Sequence, residues 1–149
     1  MDIVTPEQRS RNMAAIRSRN TKPEIWFRKQ LFSQGYRYSL NTNKVPGHPD
    51  IYLRKYNTAV FVHGCFWHRH TGCKYAYMPK SRVEFWQKKF DANIKRDLEV
   101  REKLYKRGIK CLVIWECTIK KMAKNRLTQE EYLFEIQKFL NNKEFFMEL

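Results

Sequence analysis

Between His63 and Cys73 the chain places three of its four histidines and two of its four cysteines within eleven residues, His63-Gly64-Cys65-Phe66-Trp67-His68-Arg69-His70-Thr71-Gly72-Cys73. A segment this rich in nitrogen and sulfur donors folds around a metal ion, and zinc suits the donor set. A structural zinc takes four ligands, so one ion cannot use every donor in the run. The surplus histidines are available for proton transfer, because an imidazole titrates near neutral pH.

The rest of the chain narrows the class of partner. Thirty Lys and Arg against 15 Asp and Glu give a formal charge of +15 and a pI near 9.9, which points to a polyanion. The basic residues are spread along the chain without an amphipathic anchor helix or lipidation signal. Nucleic acid is therefore preferred over a membrane surface. No apolar run approaches the roughly 20 residues of a membrane span, and Met1 to Arg11 is polar. The expectation is a soluble, intracellular protein. Its cysteines are thiols or metal ligands, not disulfides.

With 149 residues the chain reads as one domain, residues 1–149. Thr5-Pro6-Glu7-Gln8 opens a helix running to about Ser18, and Thr21-Lys22-Pro23-Glu24 opens a second that ends at Gly35, with Ile25, Phe27, Leu31 and Phe32 as core candidates. Strands are expected over Tyr36 to Leu40, Asp50 to Arg54 and Thr58 to His63, the last two joined at Lys55-Tyr56-Asn57. Ser81-Arg82-Val83-Glu84 caps a long helix to about Lys106, closed by Gly108. Ile109 to Trp115 suits a buried central strand, and Thr128 with Glu131 caps a last helix packed through Leu133, Ile136 and Leu140. This order predicts an α/β fold, a mixed sheet flanked by helices.

Several segments resemble the very-short-patch repair (Vsr) DNA mismatch endonucleases. They are Arg9-Ser10-Arg11-Asn12-Met13-Ala14-Ala15-Ile16, Pro46-Gly47-His48-Pro49-Asp50, Phe61-Val62-His63-Gly64-Cys65-Phe66-Trp67-His68, Glu84-Phe85-Trp86, Asn93-Ile94-Lys95-Arg96-Asp97 and Val113-Ile114-Trp115-Glu116-Cys117. The resemblance spans nearly the whole chain. It implies a restriction-endonuclease-like fold and a magnesium-dependent nick 5′ to the T of a T:G mismatch, which starts repair of deaminated 5-methylcytosine.

Cys65, His70, Cys73 and Cys117 form the candidate zinc set. Cys65-x4-His70-x2-Cys73 supplies three ligands from one loop, and Cys117 lies beyond a strand that can bring it back to them. Four protein ligands would make this zinc structural. Thr71-Gly72 lengthens the loop relative to the family pattern, and His68 is the rival to His70. Cys111 falls inside an apolar strand and reads as core.

Asp50 is the candidate ligand for catalytic magnesium, since hard divalent ions take carboxylate oxygens. By resemblance the main-chain carbonyl of Val62 joins it, His68 is the general base, and His63 orients or polarises near the phosphate. The second acid and the lysine usual in restriction-type sites are absent after this strand, as in the Vsr group. Glu24 and Asp97 complete the candidate catalytic set, holding waters around the metal or orienting His63. Glu24 is equally accounted for as the partner of Thr21 in a capping box.

Phe66, Trp67 and Trp86 are candidates for insertion into the base stack, which a mismatch makes less costly. Met13, on an N-terminal DNA-contacting helix (residues 1–20) with Arg9, Arg11, Arg17 and Arg19, resembles the family's wedge from the other groove. Ordinary helix packing accounts for it as well. Lys120, Lys121, Lys124 and Arg126 are candidate phosphate contacts. The implied partner is double-stranded DNA with a T:G mismatch, bound by a monomer, with mismatch-repair factors as further partners. Two other readings remain. One is a restriction- or homing-type nuclease on undamaged duplex; the other is a zinc-dependent DNA-binding module without catalysis.

Overall fold

A computed structural model describes residues 20–149. The helix expected over residues 5–18, with Met13 and the arginines around it, lies outside the described residues.

The first described helix, α1 (Lys22–Ser33), begins where Thr21 accepts a hydrogen bond from the Glu24 N–H at 3.4 Å, and Gly35 turns the chain at φ 95° beyond its end. Phe27 and Leu31, four residues apart, share the inward face and are fully buried. Phe32 does not join the core as expected. One position on, it rotates outward, is 52% exposed, and takes the Arg37 guanidinium on its ring. Strand β1 (Ser39–Leu40) is shorter than the run Tyr36 to Leu40. The Tyr36 N–H is committed to the Leu31 carbonyl, and the Tyr38 hydroxyl donates to the Arg28 carbonyl, so both tyrosines serve the helix instead of the sheet.

Strands β2 (Ile51–Leu53) and β3 (Thr58–His63) flank a single 3-10 turn, Arg54–Tyr56, with Asn57 left-handed at φ 47°. The Asn57 side chain accepts from Tyr52 and donates to the Gly108 carbonyl, tying this turn to the end of the next helix. Helix α2 (Val83–Lys106) starts at Arg82 in a left-handed conformation without a side-chain cap, so the cap expected from Ser81 does not form. Gly108 closes it at φ 68°. Strand β4 (Lys110–Trp115) is buried at every position.

Helix α3 (Glu116–Lys124), absent from the sequence reading, follows β4 without a loop and buries only Thr118, Ile119 and Met122. Helix α4 (Arg126–Asn141) is capped by Asn125, which accepts from the Thr128 N–H at 3.0 Å; Thr128 with Glu131 is not the cap. A further unexpected strand, β5 (Phe146–Glu148), completes the sheet.

The described elements form a five-stranded mixed sheet in sequence order, β1-β2-β3-β4-β5. β1, β2 and β3 pair antiparallel, whereas β4 and β5 are added parallel. Alternation assigns the two faces. Ile51, Leu53, Val60, Leu112 and Ile114 face α1, α3 and α4 in one core. Ala59, Cys111, Val113 and Trp115 face Leu104 of α2 in the second. No helix among the described residues is long and apolar enough to cross a membrane.

Lys110 is the one buried lysine of the described strands. Its Nζ donates to the carbonyls of Phe139 and Asn142, so it satisfies the C-terminal end of α4 from the face of the sheet on which that helix packs. Lys110→Met keeps the bulk and removes the donors. It is expected to lower stability by about 1–3 kcal/mol, read as a fall in the urea midpoint at unchanged m-value.

Candidate active site and metal cluster

The parallel pairing of β3 with β4 sets His63 beside Trp115 at the carboxyl ends of both strands. Ligand sites of open α/β sheets gather at this edge. Two residues further on, one chain delivers Cys65 and the other Cys117, so the Cys/His loop and the start of α3 meet in space. The donor atoms of Cys65, His70, Cys73 and Cys117 all lie within 4.8 Å of one another. A tetrahedral ion with sulfur ligands at about 2.3 Å would set them about 3.7 Å apart. The His70 Nδ1 is 3.3 Å from the Cys117 Sγ, and Cys65 is buried while the other three are partly open. Burial pushes the Cys65 thiol up to about 12. At Cys73 burial acts in the same sense but is outweighed by the Tyr75 N–H and the neighbouring thiols, so its thiol is lowered. A coordinated thiol would be deprotonated outright. The geometry therefore favours His70 over its rival His68 as the fourth member.

His68 belongs to a second cluster. Its Nδ1 is 2.7 Å from Asp97 Oδ2 on α2, and its ring lies flat on His63, with centroids 3.9 Å apart and planes 4° from parallel. These three groups lie close enough to hold a metal. However, the in-plane lone pairs of two parallel rings do not converge on one ion, and 2.7 Å is a hydrogen-bond separation. The arrangement is that of an oriented imidazole. With Nδ1–H donated to the carboxylate, the Nε2 of His68 is left as an acceptor.

Asp50 lies just before β2, on a loop that only glycine permits at Gly47. At φ 83°, a Cβ there would collide with Val100 of α2 and come within 3.1 Å of the Phe61 ring. The Val62 N–H donates to Asp50 Oδ2 at 2.7 Å. Burial pushes the Asp50 carboxyl up to about 7, with the charge of Glu24 adding to the shift and the Val62 N–H and His68 opposing it. Glu24 is 2% exposed, is itself raised by burial, and its Oε1 has no hydrogen-bond partner among the described residues. His63 is 8% exposed, and burial, followed by the neighbouring His68, lowers it to about 3.

These two shifts make opposite contributions to stability. Asp50 keeps its proton when folded up to about pH 7 against 3.8 unfolded, so its contribution is fully present below 3.8 and is lost as pH rises through about 7. His63 titrates at about 3 folded against 6.5 unfolded. Its contribution is present above 6.5 and is lost as pH falls through about 3.

Asp50, His63, His68 and Asp97 line one cleft of about 810 Å³ between α2 and the sheet, whose walls also carry Arg96 and Arg101. Beside it stands an aromatic cluster. Phe66 is edge-on to Trp67 at 5.2 Å, to Trp86 at 5.5 Å and to Phe90 at 5.2 Å. Phe66, Trp67 and Trp86 are half-buried around the fully buried Phe90 of α2. The loop alone offers them little to pack against; the long helix supplies it.

Comparison with known proteins agrees with this geometry. Residues 1–74 match the family described as DNA mismatch endonuclease Vsr. The chain is 46% identical to the type II nicking enzyme V.NmeAIP of Neisseria meningitidis (serogroup A / serotype 4A) over 87% of this chain and 95% of that one. It is 32% identical to the DNA mismatch endonuclease Vsr of Escherichia coli (strain K12), over 93% of this chain and 87% of that one. It is 36% identical to the type II nicking enzyme V.HpaIIP of Haemophilus parainfluenzae, over 93% and 94%. The chain belongs to the Vsr family. It is an endonuclease that acts on DNA.

For this Vsr-family chain, every named site residue among the described ones falls at the same sheet edge or on the helix facing it, except Glu24, which approaches from α1. One expected contact differs. Asp97 hydrogen-bonds His68, not His63, because the two rings are stacked and only His68 turns its Nδ1 toward α2. The sequence reading missed Arg69. Left-handed at φ 58°, it donates to the carbonyls of Phe66, Ala76 and Tyr77 and lies 3.9 Å over Phe90. It also missed Trp115 as a site residue; its one sequence signal is an aromatic at the strand end, two residues before Cys117.

Elemental analysis of the purified protein is expected to find about one tightly held metal ion per chain. Cys117→Ala is expected to lose it and to lower the melting temperature, since binding free energy at such a site is folding free energy. Cys111→Ala removes a buried thiol from the second core and is expected to leave the metal in place.

Proposed function

We propose that this endonuclease nicks one strand 5′ to the T of a T:G mismatch left by deamination of 5-methylcytosine, using magnesium, and so initiates very-short-patch repair. The observation that supports it best is the buried Asp50 just before a strand, raised by burial and by the charge of Glu24, opening on the same cleft as the His68–Asp97 pair. The mixed sheet with Asp50 at a strand start is consistent with a restriction-endonuclease-like fold. The reading takes residues 1–149 as one domain acting as a monomer, with residues 1–20 as a DNA-contacting helix. It places the protein with the nucleoid in the bacterial cytoplasm, with mismatch-repair factors as further partners.

The donors fit the implied cations. A buried carboxylate raised further by the charge of a second buried acid suits a hard divalent ion; Asp50 and the main-chain carbonyl of Val62 would hold it, with Glu24 approaching from α1. Bound there, magnesium would supply positive charge to the scissile phosphate. The three-cysteine, one-histidine cluster suits a structural zinc.

The chain's own groups account for the remaining chemistry. Asp97 fixes the orientation of His68, whose Nε2 takes the proton from the attacking water. His63, buried and neutral, orients its stacked neighbour. Phe66, Trp67 and Trp86 form the wedge that opens the base stack at the mismatch, with Met13 entering from the opposite groove. The lysines of α3, Lys120, Lys121 and Lys124, with Arg126, bind phosphate and give a steep salt dependence.

Strand-resolved cleavage of end-labelled duplexes tests this reading. A magnesium-dependent nick on the T strand is expected in T:G duplex and not in T:A or C:G duplex. Cleavage of all three would indicate a restriction- or homing-type nuclease, and binding without cleavage a binding module. His68→Ala and Asp97→Asn are expected to lower the nicking rate by about 10²–10⁴-fold with the cluster metal retained.

The pH profile offers a separate check. Asp50 must be anionic to hold the cation, so at limiting magnesium the rate is expected to fall about tenfold per unit below about pH 7. Raising the magnesium concentration should move that limb to lower pH, because cation and proton compete for one carboxylate. A limb that ignores magnesium would remove Asp50 from the metal site.

A further inference from the structure

The two centres at this edge share one side chain. Trp115, at the end of β4 and 6% exposed, lies flat on His70 of the Cys/His cluster, with centroids 4.2 Å apart and planes 7° from parallel. The same indole meets His63 edge-on at 5.2 Å and 72°. His63 in turn stacks on His68, and His68 is held by Asp97. Cluster and proton-transfer pair are thus joined in one unbroken run of ring contacts.

A flat ring gripped only by other rings can still tilt about its own side-chain bonds. Here the tilt is fixed from the far side. The Trp115 Nε1–H donates to Glu148 Oε1 at 2.6 Å, a charge-assisted bond. Glu148 is the last residue of β5, and that strand is locked to β4 before it, where the Cys111 N–H donates to the Phe145 carbonyl at 2.8 Å, and after it, through Leu149. The Leu149 N–H donates to the Val113 carbonyl at 2.9 Å, and the Trp115 N–H donates to the Leu149 carbonyl at 3.0 Å. The buried indole N–H needs an acceptor, and one carried by a strand fixed to β4 also sets the angle of the ring.

We infer that Trp115, oriented by Glu148, is a positioning residue that keeps His63 and the His68–Asp97 pair in register with the metal cluster. This rests on the nicking function proposed above. A small misplacement of a proton-transfer group costs catalysis and leaves substrate affinity intact. Outer residues that orient the groups of a metal or catalytic centre commonly change activity by about 10–100-fold.

The test compares Trp115→Phe, Glu148→Ala, Glu148→Gln and the double variant Trp115→Phe/Glu148→Ala with the wild-type protein. Single-turnover nicking of T:G duplex, duplex Kd, metal content and the NMR signals of the His63 and His68 ring protons are measured for each. Glu148→Ala and Trp115→Phe are each expected to slow nicking about tenfold or more at unchanged Kd and metal content, and the double variant to be no slower than either single one. Glu148→Gln, whose amide oxygen still accepts the indole N–H, is expected to recover most of the loss.

The ring signals are expected to move in Glu148→Ala and to stay in Glu148→Gln. Additive losses, a Gln variant as slow as Ala, or unmoved ring signals would overturn the assignment. If Trp115→Phe does not fold, the two Glu148 variants at the exposed strand end decide the question alone. If wild-type protein fails to nick T:G duplex, the proposed function fails, while the ring signals still decide whether Glu148 orients the histidines.

Discussion

β3 and β4 lie side by side in parallel, with Thr58 to His63 paired residue for residue with Lys110 to Trp115. Parallel pairing sends both chains out of the sheet at the same edge, and the register makes His63 and Trp115 neighbours there. Everything chemically unusual in the molecule depends on that exit. Cys65 and Cys117 each lie two residues past the paired position, so the cluster closes only if the register is right. A slip of one residue would turn His63 and Trp115 onto the opposite face, away from α2. The rest of the fold keeps the register from slipping. The second core of Ala59, Cys111 and Val113 packs beneath α2, and Asn57 ties the β2–β3 turn to Gly108.

At that edge, burial is put to opposite uses within a few ångströms. It pushes Asp50 up to about 7 and His63 down to about 3, so each tends toward its neutral form. Glu24 is raised by burial as well, with the charge of Arg28 opposing that shift without cancelling it. The charge of Glu24 adds to the cost of burying an anionic Asp50, a cost that the cation of the proposed function would offset. Stacking His63 on His68 has a related effect, since two parallel imidazoles at 3.9 Å do not favour being charged together.

How far the sequence alone reached varied with the kind of signal. The Thr21 cap, the Gly35 and Gly108 helix ends and the long helix to Lys106 were legible because each is set by a local backbone requirement. Ser81 looks like Thr21 in the sequence but does not cap, since Arg82 takes a left-handed conformation that turns the chain from the loop into α2. α3 and β5 were not legible. Among its nine residues α3 carries four charged side chains and a cysteine of the Cys/His cluster, and it is held as a helix by Ile119 and Met122 against the first core. β5 is three residues long and is a strand only because β4 offers it an edge. The site residues were legible as a set, and their pairings were not. No spacing says that Asp97 faces His68 and not His63, or that Arg69 gathers three carbonyls over Phe90.

The sequence by itself determined the chemistry available to this protein: a surplus of cysteine and histidine donors, acids placed near them by motif, aromatics among those donors, and a charge suited to DNA. It also determined the family, because those motifs occur in order along the chain. Only the tertiary structure decided which donor meets which. The reason lies in where the distances come from. Local spacing fixes contacts a few residues apart, whereas the meeting of residue 70 with 117, 68 with 97 and 115 with 148 is set by strand register and helix packing. Those depend on the whole core at once.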